Sequence, residues 1–260
     1  MRVLPIKLID PSIEKLPFEL DSGAGERARI GLLVLESDQS LEWEMRKVAN
    51  LEGVAVYHSR LENDPIVTGE NLAMMEKQLP VAAKLLPKYL NLNSIGYGCT
   101  SASTIIGERR VKEIINKFHP NIPSSNPLSA AKAAFKVLNI NKIALLTPYS
   151  PEVTNALQKQ FSESGINVTL VGSYYEENDE LVGQISSKSI LESVIHLGSN
   201  KDCDGVFVSC TSLRALDIIE KAEKIICKPV TSSNHALAWH LLRLAGVDDI
   251  LDDHGQLFKK

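Results

Sequence analysis

A chain of 260 residues with 44% hydrophobic and 23% charged content forms one large or two medium globular domains, which excludes disorder, collagen and coiled coil. Its net charge of −4, from 28 basic against 32 acidic residues with no polybasic block, gives nucleic acid no counterion-releasing surface and favours a small-molecule partner. The four cysteines (Cys99, Cys203, Cys210, Cys227) form no CxxC pair and the six histidines keep no zinc or haem spacing, so neither a disulfide scaffold nor a bound metal is expected.

Residues 1–28 carry Lys7, Asp10, Glu14, Lys15, Glu19 and Asp21 among their apolar positions, which rules out an export core there. No apolar run approaches the roughly 20 residues of a membrane helix, so the expected setting is the reducing cytoplasm, without membrane contact. This segment, with Ile6, Leu8, Ile9, Ile13, Leu16 and Phe18 between prolines 5, 11 and 17, reads as an extension lying across the first lobe or a neighbouring subunit. The second case allows a homo-oligomer.

From residue 29 onward, short β-branched runs alternate with helical stretches, the sign of parallel strands joined by crossover helices. Strands are predicted at Ile30–Val34, Val54–Tyr57, Ser94–Tyr97, Ile143–Thr147, Asn167–Val171, Val206–Ser209 and Val230–Thr231. Helical periodicity falls at Gly69–Tyr89, Ser101–Phe118, Ser129–Leu138, Leu213–Ile226 and Ala236–Ala245.

The pattern runs twice. Arg29-Ile-Gly-Leu-Leu-Val matches Lys142-Ile-Ala-Leu-Leu-Thr, and Gly53-Val-Ala-Val matches Gly165-Ile-Asn-Val. Glu62-Asn63-Asp64 matches Glu177-Asn178-Asp179, Cys99-Thr100-Ser101 matches Cys210-Thr211-Ser212, and Ser124-Ser125-Asn126 matches Ser232-Ser233-Asn234. Five matches in one order at nearly constant offset indicate two copies of one α/β unit. The expected fold is α/β with two pseudo-symmetric lobes, each a parallel sheet flanked by helices. The expected division is an extension at 1–28, a first lobe of 29–125 plus 234–260, and a second lobe of 126–233, because the last helix has no strand after it and can return to the first half.

Ligands bind parallel sheets at the carboxyl ends of the strands, and both Cys-Thr-Ser segments fall there, each read as ending a strand and opening a helix. A cysteine at a helix N-terminus is expected to have its pKa lowered, which makes it a usable nucleophile or base. The hydroxyls of Thr100, Ser101, Thr211 and Ser212 and the neighbouring N–H groups suit a carboxylate. If the lobes face each other, Cys99 and Cys210 approach one substrate from opposite sides, as inversion of a carbon centre or addition and elimination across a double bond requires. Cys203 and Cys227 read as small apolar packing residues.

Gly98-Cys-Thr-Ser-Ala-Ser-Thr, Thr147-Pro-Tyr-Ser-Pro-Glu-Val, Ser209-Cys-Thr-Ser and Ser232-Ser-Asn-His-Ala-Leu-Ala-Trp carry a resemblance that spans roughly residues 29 to 247. The sequence resembles the aspartate/glutamate racemase superfamily, in the branch of maleate cis-trans isomerase, arylmalonate decarboxylase and the ectoine-utilisation protein A. The resemblance implies a cofactor-independent isomerase or racemase of a small carboxylate. In it Cys99 adds to the substrate, Cys210 handles the proton, and Tyr149 and Asn178 bind substrate. Two other functions stay open: an arylmalonate-type decarboxylase using Cys210 alone, and a binding protein for small acids that has lost turnover.

One position departs from the maleate isomerases. Where they carry Pro-Ser-Ser-Asn-Thr-Thr, this chain has Leu35-Glu-Ser-Asp38-Gln-Ser, and an ionised Asp38 repels a dicarboxylate. Asp38 is then protonated, or meets an ammonium or other donor on the substrate, or merely caps the helix starting near Ser40. Gly96-Tyr-Gly98 lacks the third glycine of a dinucleotide fingerprint, and no Gly-x-Ser-x-Gly elbow is present.

Overall fold

A computed structural model describes residues 13, 14 and 16–260. The first twelve residues and Lys15 lie outside it, and with them most of the segment read as an extension over the first lobe or a neighbour. The described part before residue 28 forms no helix or strand and leaves Ile13, Leu16, Phe18 and Leu20 exposed.

Strand β1 (Ala28–Leu35) is apolar at almost every position because both of its faces are covered; Leu32, Leu33 and Val34 are fully buried. It lies between β2 (Val54–Leu61) and β3 (Ser94–Gly98), and β4 (Ser124–Ser125) completes a parallel sheet of order β2-β1-β3-β4. The second sheet repeats this arrangement with β5 (Lys142–Thr147), β6 (Asn167–Ser173), β7 (Gly205–Val208) and β8 (Val230–Ser232) in the parallel order β6-β5-β7-β8. Two sheets of one topology are the physical form of the internal repeat. The two-residue β4 was not foreseen, since Ser124 and Ser125 have no strand propensity and are placed by pairing with Ile95 and Gly96.

Ten α-helices join these strands among the described residues. The first lobe carries α1 (Leu41–Val48), α2 (Gly69–Leu85), α3 (Thr100–Ile106) and α4 (Glu108–Phe118), and α5 (Pro127–Leu138) leads into the second. There follow α6 (Pro151–Glu163), α7 (Asp179–Val182), α8 (Ser187–Gly198), α9 (Ile219–Ile226) and α10 (Ser233–Leu244). The helix expected over Ser101–Phe118 is two, broken at Gly107, whose φ of +91° only glycine adopts without strain. Among the described residues no helix is long and apolar enough to cross a membrane.

The helix that ends each repeat leaves its own sheet. Phe135 of α5 packs against Phe161 and Phe207 of the second half, with ring centroids 5.7 and 5.6 Å away. Helix α10 returns to the first: Ser94 donates to the Leu241 carbonyl at 2.9 Å, and Ser125 Oγ lies 2.8 Å from His240 Nδ1. This exchange of helices fixes the carboxyl ends of the two sheets against each other.

Candidate active site

Strand β3 delivers Cys99 to the N-cap of α3, in extended backbone with φ −150° and ψ 117°. The Ala102 N–H donates to its sulfur at 3.4 Å, and Ser101 Oγ lies 3.5 Å from it. Glycine is needed just before it: a Cβ on Gly98 would stand 2.1 Å from Leu41 Cδ2 and 3.2 Å from the Leu33 carbonyl oxygen. That close approach lets the start of α1 reach the thiol-bearing turn.

Strand β7 delivers Cys210, but into a different local structure. Cys210 has φ +112°, a conformation that costs a non-glycine residue free energy unless its surroundings impose it. The residues after it form bends and a short 3-10 turn at Leu216–Ile218, so the helix expected from Leu213 begins only at Ile219. The second cysteine is not at a helix N-terminus. The reason is that side chains from α1 and α10 satisfy the loop's backbone: Cys210 N–H donates to Ser233 Oγ at 3.1 Å, Asn234 Nδ2 to the Thr211 carbonyl at 2.8 Å, and Leu216 N–H to Glu44 at 2.7 Å.

The lobes bring both cysteines, Tyr149, Asp38 and Asp179 into one buried site. Cys99 and Cys210 are only 3% and 5% exposed, and the Cys99 charge adds to what raises Cys210. Tyr149 is fully buried beside Cys210 and receives a bond from Ser209 Oγ at 3.5 Å. The segments after β2 and β6 close over the site, where Val67 N–H donates to the Glu177 carbonyl at 2.8 Å and Asp179 N–H to the Pro65 carbonyl at 2.9 Å. Closure thus comes from loops after the second strand of each lobe.

The four hydroxyls assigned to a carboxylate are engaged within the protein. Thr100 Oγ1 bonds Ser233 Oγ at 2.7 Å, Thr211 donates to the Gly98 carbonyl at 3.4 Å, Ser101 lies against the Cys99 sulfur, and Ser212 donates to Asp179 at 3.0 Å. Burial demands those partners, so Thr100 and Thr211 join the lobes. Asn178 is also redirected. Its side chain accepts from the Glu180 N–H at 2.9 Å and caps α7, while its neighbour Asp179 reaches the site. Asp179 Oδ1 lies 3.9 Å from the Cys210 sulfur and Oδ2 accepts from Ser37 at 3.2 Å. The repeated Glu-Asn-Asp carries the sequence signal for Asp179 as much as for Asn178.

Asp38 caps α1 as one reading anticipated: Oδ1 accepts from Ser40 N–H at 2.7 Å and Leu41 N–H at 2.8 Å. Its other oxygen is buried without a hydrogen bond of ordinary length, and the Thr211 hydroxyl favours the ionised carboxylate.

Burial reverses the expected behaviour of the thiols. It pushes Cys99 up to about 12 and Cys210 well above the ordinary cysteine value. The Ser101 hydroxyl and Ala102 N–H favour the Cys99 thiolate, and Ser212 N–H and Tyr149 favour that of Cys210, but desolvation exceeds them and the Asp179 carboxylate adds to it on both. Asp179 itself is raised to about 6 by burial and by Asp38. In the ligand-free protein both thiols are neutral at pH 7. Iodoacetamide labelling of Cys99 and Cys210 is therefore expected to be slow and to rise without a plateau up to about pH 10, and a plateau near pH 7 would contradict this burial.

Glu44 of α1 anchors the Cys210 loop through Leu216 and through Asn234 Nδ2, which lies 2.8 Å from Oε2. Burial raises it to about 7. A carboxyl raised in the folded state contributes stability below its unfolded pKa and loses it as pH climbs through the folded value. The window is pH 4.5 to 7, and the loss is about 3 kcal/mol. Buried His235, lowered to about 4, acts in the opposite direction, so the difference between proteins is the observable. Glu44→Gln is expected to gain on wild type between about pH 5 and about pH 8 in urea unfolding. A pH-independent difference would show that Glu44 is ionised throughout.

A family model described as arylmalonate decarboxylase matches residues 82–258 of the chain. Over 126 residues, 48% of this chain and 52% of the relative, it is 26% identical to the arylmalonate decarboxylase of Bordetella bronchiseptica, so this match spans about half of that protein's length. It is 23% identical over 242 residues to a maleate isomerase of Geobacillus stearothermophilus, covering 88% of this chain and 96% of that one. In fold it is similar to a Nocardia farcinica maleate cis-trans isomerase, a Cys-to-Ser variant with a covalently bound succinylcysteine intermediate. The TM-score is 0.76 at 21% identity, over 89% of this chain and 98% of that one.

Proposed function

The chain belongs to the arylmalonate decarboxylase family, and on that premise we propose that it is a cofactor-independent, two-cysteine isomerase or racemase of a small carboxylate. The observation that carries the reading is the pair of thiols delivered from equivalent strand ends of two equivalent sheets into one buried site. Such a pair supplies an acid and a base on opposite sides of one carbon.

In racemisation one thiolate takes the proton from the carbon beside the carboxylate, the electron pair passes into that carboxylate as an enediolate, and the other thiol returns a proton to the opposite face. In cis-trans isomerisation the Cys99 sulfur bonds one alkene carbon and the pair moves to the carboxylate. Rotation follows, and re-formation of the double bond expels the thiolate. The succinylcysteine of the Nocardia farcinica maleate cis-trans isomerase supports the second route. Tyr149, buried beside Cys210, would orient the carboxylate in this reading. The family match itself favours a second reading, decarboxylation with Cys210 as proton donor; the presence of Cys99 weighs against it.

The division proposed is residues 29–125 plus 234–260 against 126–233, and the packing of α5 on the second half and of α10 on the first supports it. A cytoplasmic setting fits four unpaired cysteines, and a place in ectoine utilisation rests on the resemblance alone. Turnover of candidate carboxylates in deuterated water tests the proposal. Wild type is expected to exchange deuterium into the recovered acid at the reacting carbon or to interconvert isomers with no carbon lost, and release of carbon dioxide, with deuterium only in the decarboxylated product, would overturn it in favour of the decarboxylase.

A further inference from the structure

We propose that the segment 13–21 is an arm that docks on the exposed face of α2 and the free edge of β2 in a second copy of the chain, so that two copies exchange arms about a two-fold axis. The docking surface is exposed whereas the thiols are buried, so docking does not depend on the reaction they carry out.

The arm is apolar where nothing covers it. Ile13, Leu16, Phe18 and Leu20 are 67–88% exposed. Leu16, Phe18 and Leu20 alternate with Pro17, Glu19 and Asp21, which is the period of an extended strand with one apolar side. A proline inside such a run fits only an edge strand, with its missing N–H turned outward. The arm leaves the fold at a fixed place. The Arg29 guanidinium donates to the carbonyls of Ser22 at 2.8 Å and Ala24 at 3.3 Å, and to that of Leu90 at 3.1 Å, while Asp21 Oδ1 accepts from the Gly23 N–H at 2.7 Å. Leu20, two residues before Ser22, is the most exposed of the four at 88%, so the arm leads away from its own body.

A surface of matching character begins at the same point. The 3-10 turn Lys88–Leu90 presents Tyr89, and Leu85, Val81 and Met74 continue from it at helical spacing along one side of α2, all at least half exposed. That side faces β2: Gln78, in the same row, donates to Glu62, the residue after β2, at 3.2 Å, whereas Glu76 on the opposite side pairs with Arg110 of α4 at 2.6 Å. Among the described residues β2 pairs with β1 alone, so its outer edge offers backbone groups to an added strand. Charge agrees with shape. Glu14, Glu19 and Asp21 are exposed on the arm, and Lys77, Lys84 and Lys88 are exposed along α2 and its turn. The four apolar side chains of the arm and the four of the surface, at about 100 Å² each, bury about 800 Å² per arm and about 1,600 Å² in a reciprocal exchange, the size of a stable interface. A two-fold exchange lets each copy give one arm and receive one, which closes the assembly at a dimer.

Sedimentation velocity of the full chain tests this. Wild type is expected to be a dimer with a Kd below about 10 μM, and that Kd is expected to rise at least about a hundredfold in the double variant Phe18→Asp, Leu20→Asp and separately in Leu85→Asp. These side chains lie outside the core, so far-UV circular dichroism is expected to match wild type. Phe18→Cys and Val81→Cys, each with Cys227→Ser and differing in mass by a tag, identify the recipient. They mark the middle of arm and surface, which meet whichever way the arm runs, and mild oxidation of the mixture is expected to give the heterodimer in excess of either homodimer. A monomeric wild type, a Kd unchanged by either set of substitutions, or a disulfide formed within one chain carrying both cysteines in place of the heterodimer would overturn the proposal.

Discussion

Cys99→Ser and Cys210→Ser are each expected to lower isomerisation or racemisation by at least about a thousandfold, because each removes one of the two groups that move a proton or form the bond to carbon. Serine keeps the shape of the site. It also keeps a polar atom that can accept from the Ala102 N–H and face the Ser101 hydroxyl, as the Cys99 sulfur does. What it loses is access to the anion, since a hydroxyl is far harder to ionise than a thiol, even one pushed up to about 12 as Cys99 is. Folding and binding are therefore expected to survive while chemistry does not, so the loss falls on kcat and spares KM. The pattern across the two variants is diagnostic. Equal large losses support the paired mechanism; carbon dioxide release that persists in Cys99→Ser and vanishes in Cys210→Ser identifies a decarboxylase; turnover undiminished in both sinks any cysteine mechanism.

Phe135→Ala is expected to destabilise the protein by about 3–5 kcal/mol. Phe135 is fully buried on α5, edge-on to Phe207 and tilted against Phe161, while those two rings meet each other at 85°. Removing one ring of three leaves a cavity lined by the other two, and each aromatic contact adds to the transfer cost. The site of the loss matters as much as its size, because α5 is the helix by which the first repeat grips the second. Urea unfolding of Phe135→Ala and Phe135→Leu measures it, with the leucine variant expected to lose less than half as much. A loss below about 1 kcal/mol for the alanine variant would mean that α5 is not held by this cluster.

Much of the architecture could be read before any coordinate. Parallel strands covered on both faces are continuous apolar runs, so Arg29 to Val34 and Lys142 to Thr147 announced the two central strands, and their spacing exposed the duplication. Cys99 and Cys210 were found for the same reason: equivalent positions in two copies of one unit reach equivalent strand ends. Features decided by distant residues stayed hidden. Ser124 and Ser125 are a strand only because β3 lies beside them. The chain after Cys210 forgoes helix because Glu44, Ser233 and Asn234 take its backbone groups. Asn178 and Asp179 are adjacent and equally polar, and only the turn of α7 decides that the first caps a helix and the second faces the thiols.

The sequence by itself determined the two-lobed parallel architecture and the two cysteines, because hydrophobic periodicity and duplication are properties of the chain read locally. The direction in which the thiol pKa values move, the partnering of Asp38 with Asp179 and the engagement of Thr100 and Thr211 across the lobes were decided by tertiary structure alone. Desolvation and Coulomb interactions depend on how much water is removed and on which charges arrive from the other lobe. A helix N-terminus that favours a thiolate in isolation is outweighed once the second lobe closes over it and brings a carboxylate with it.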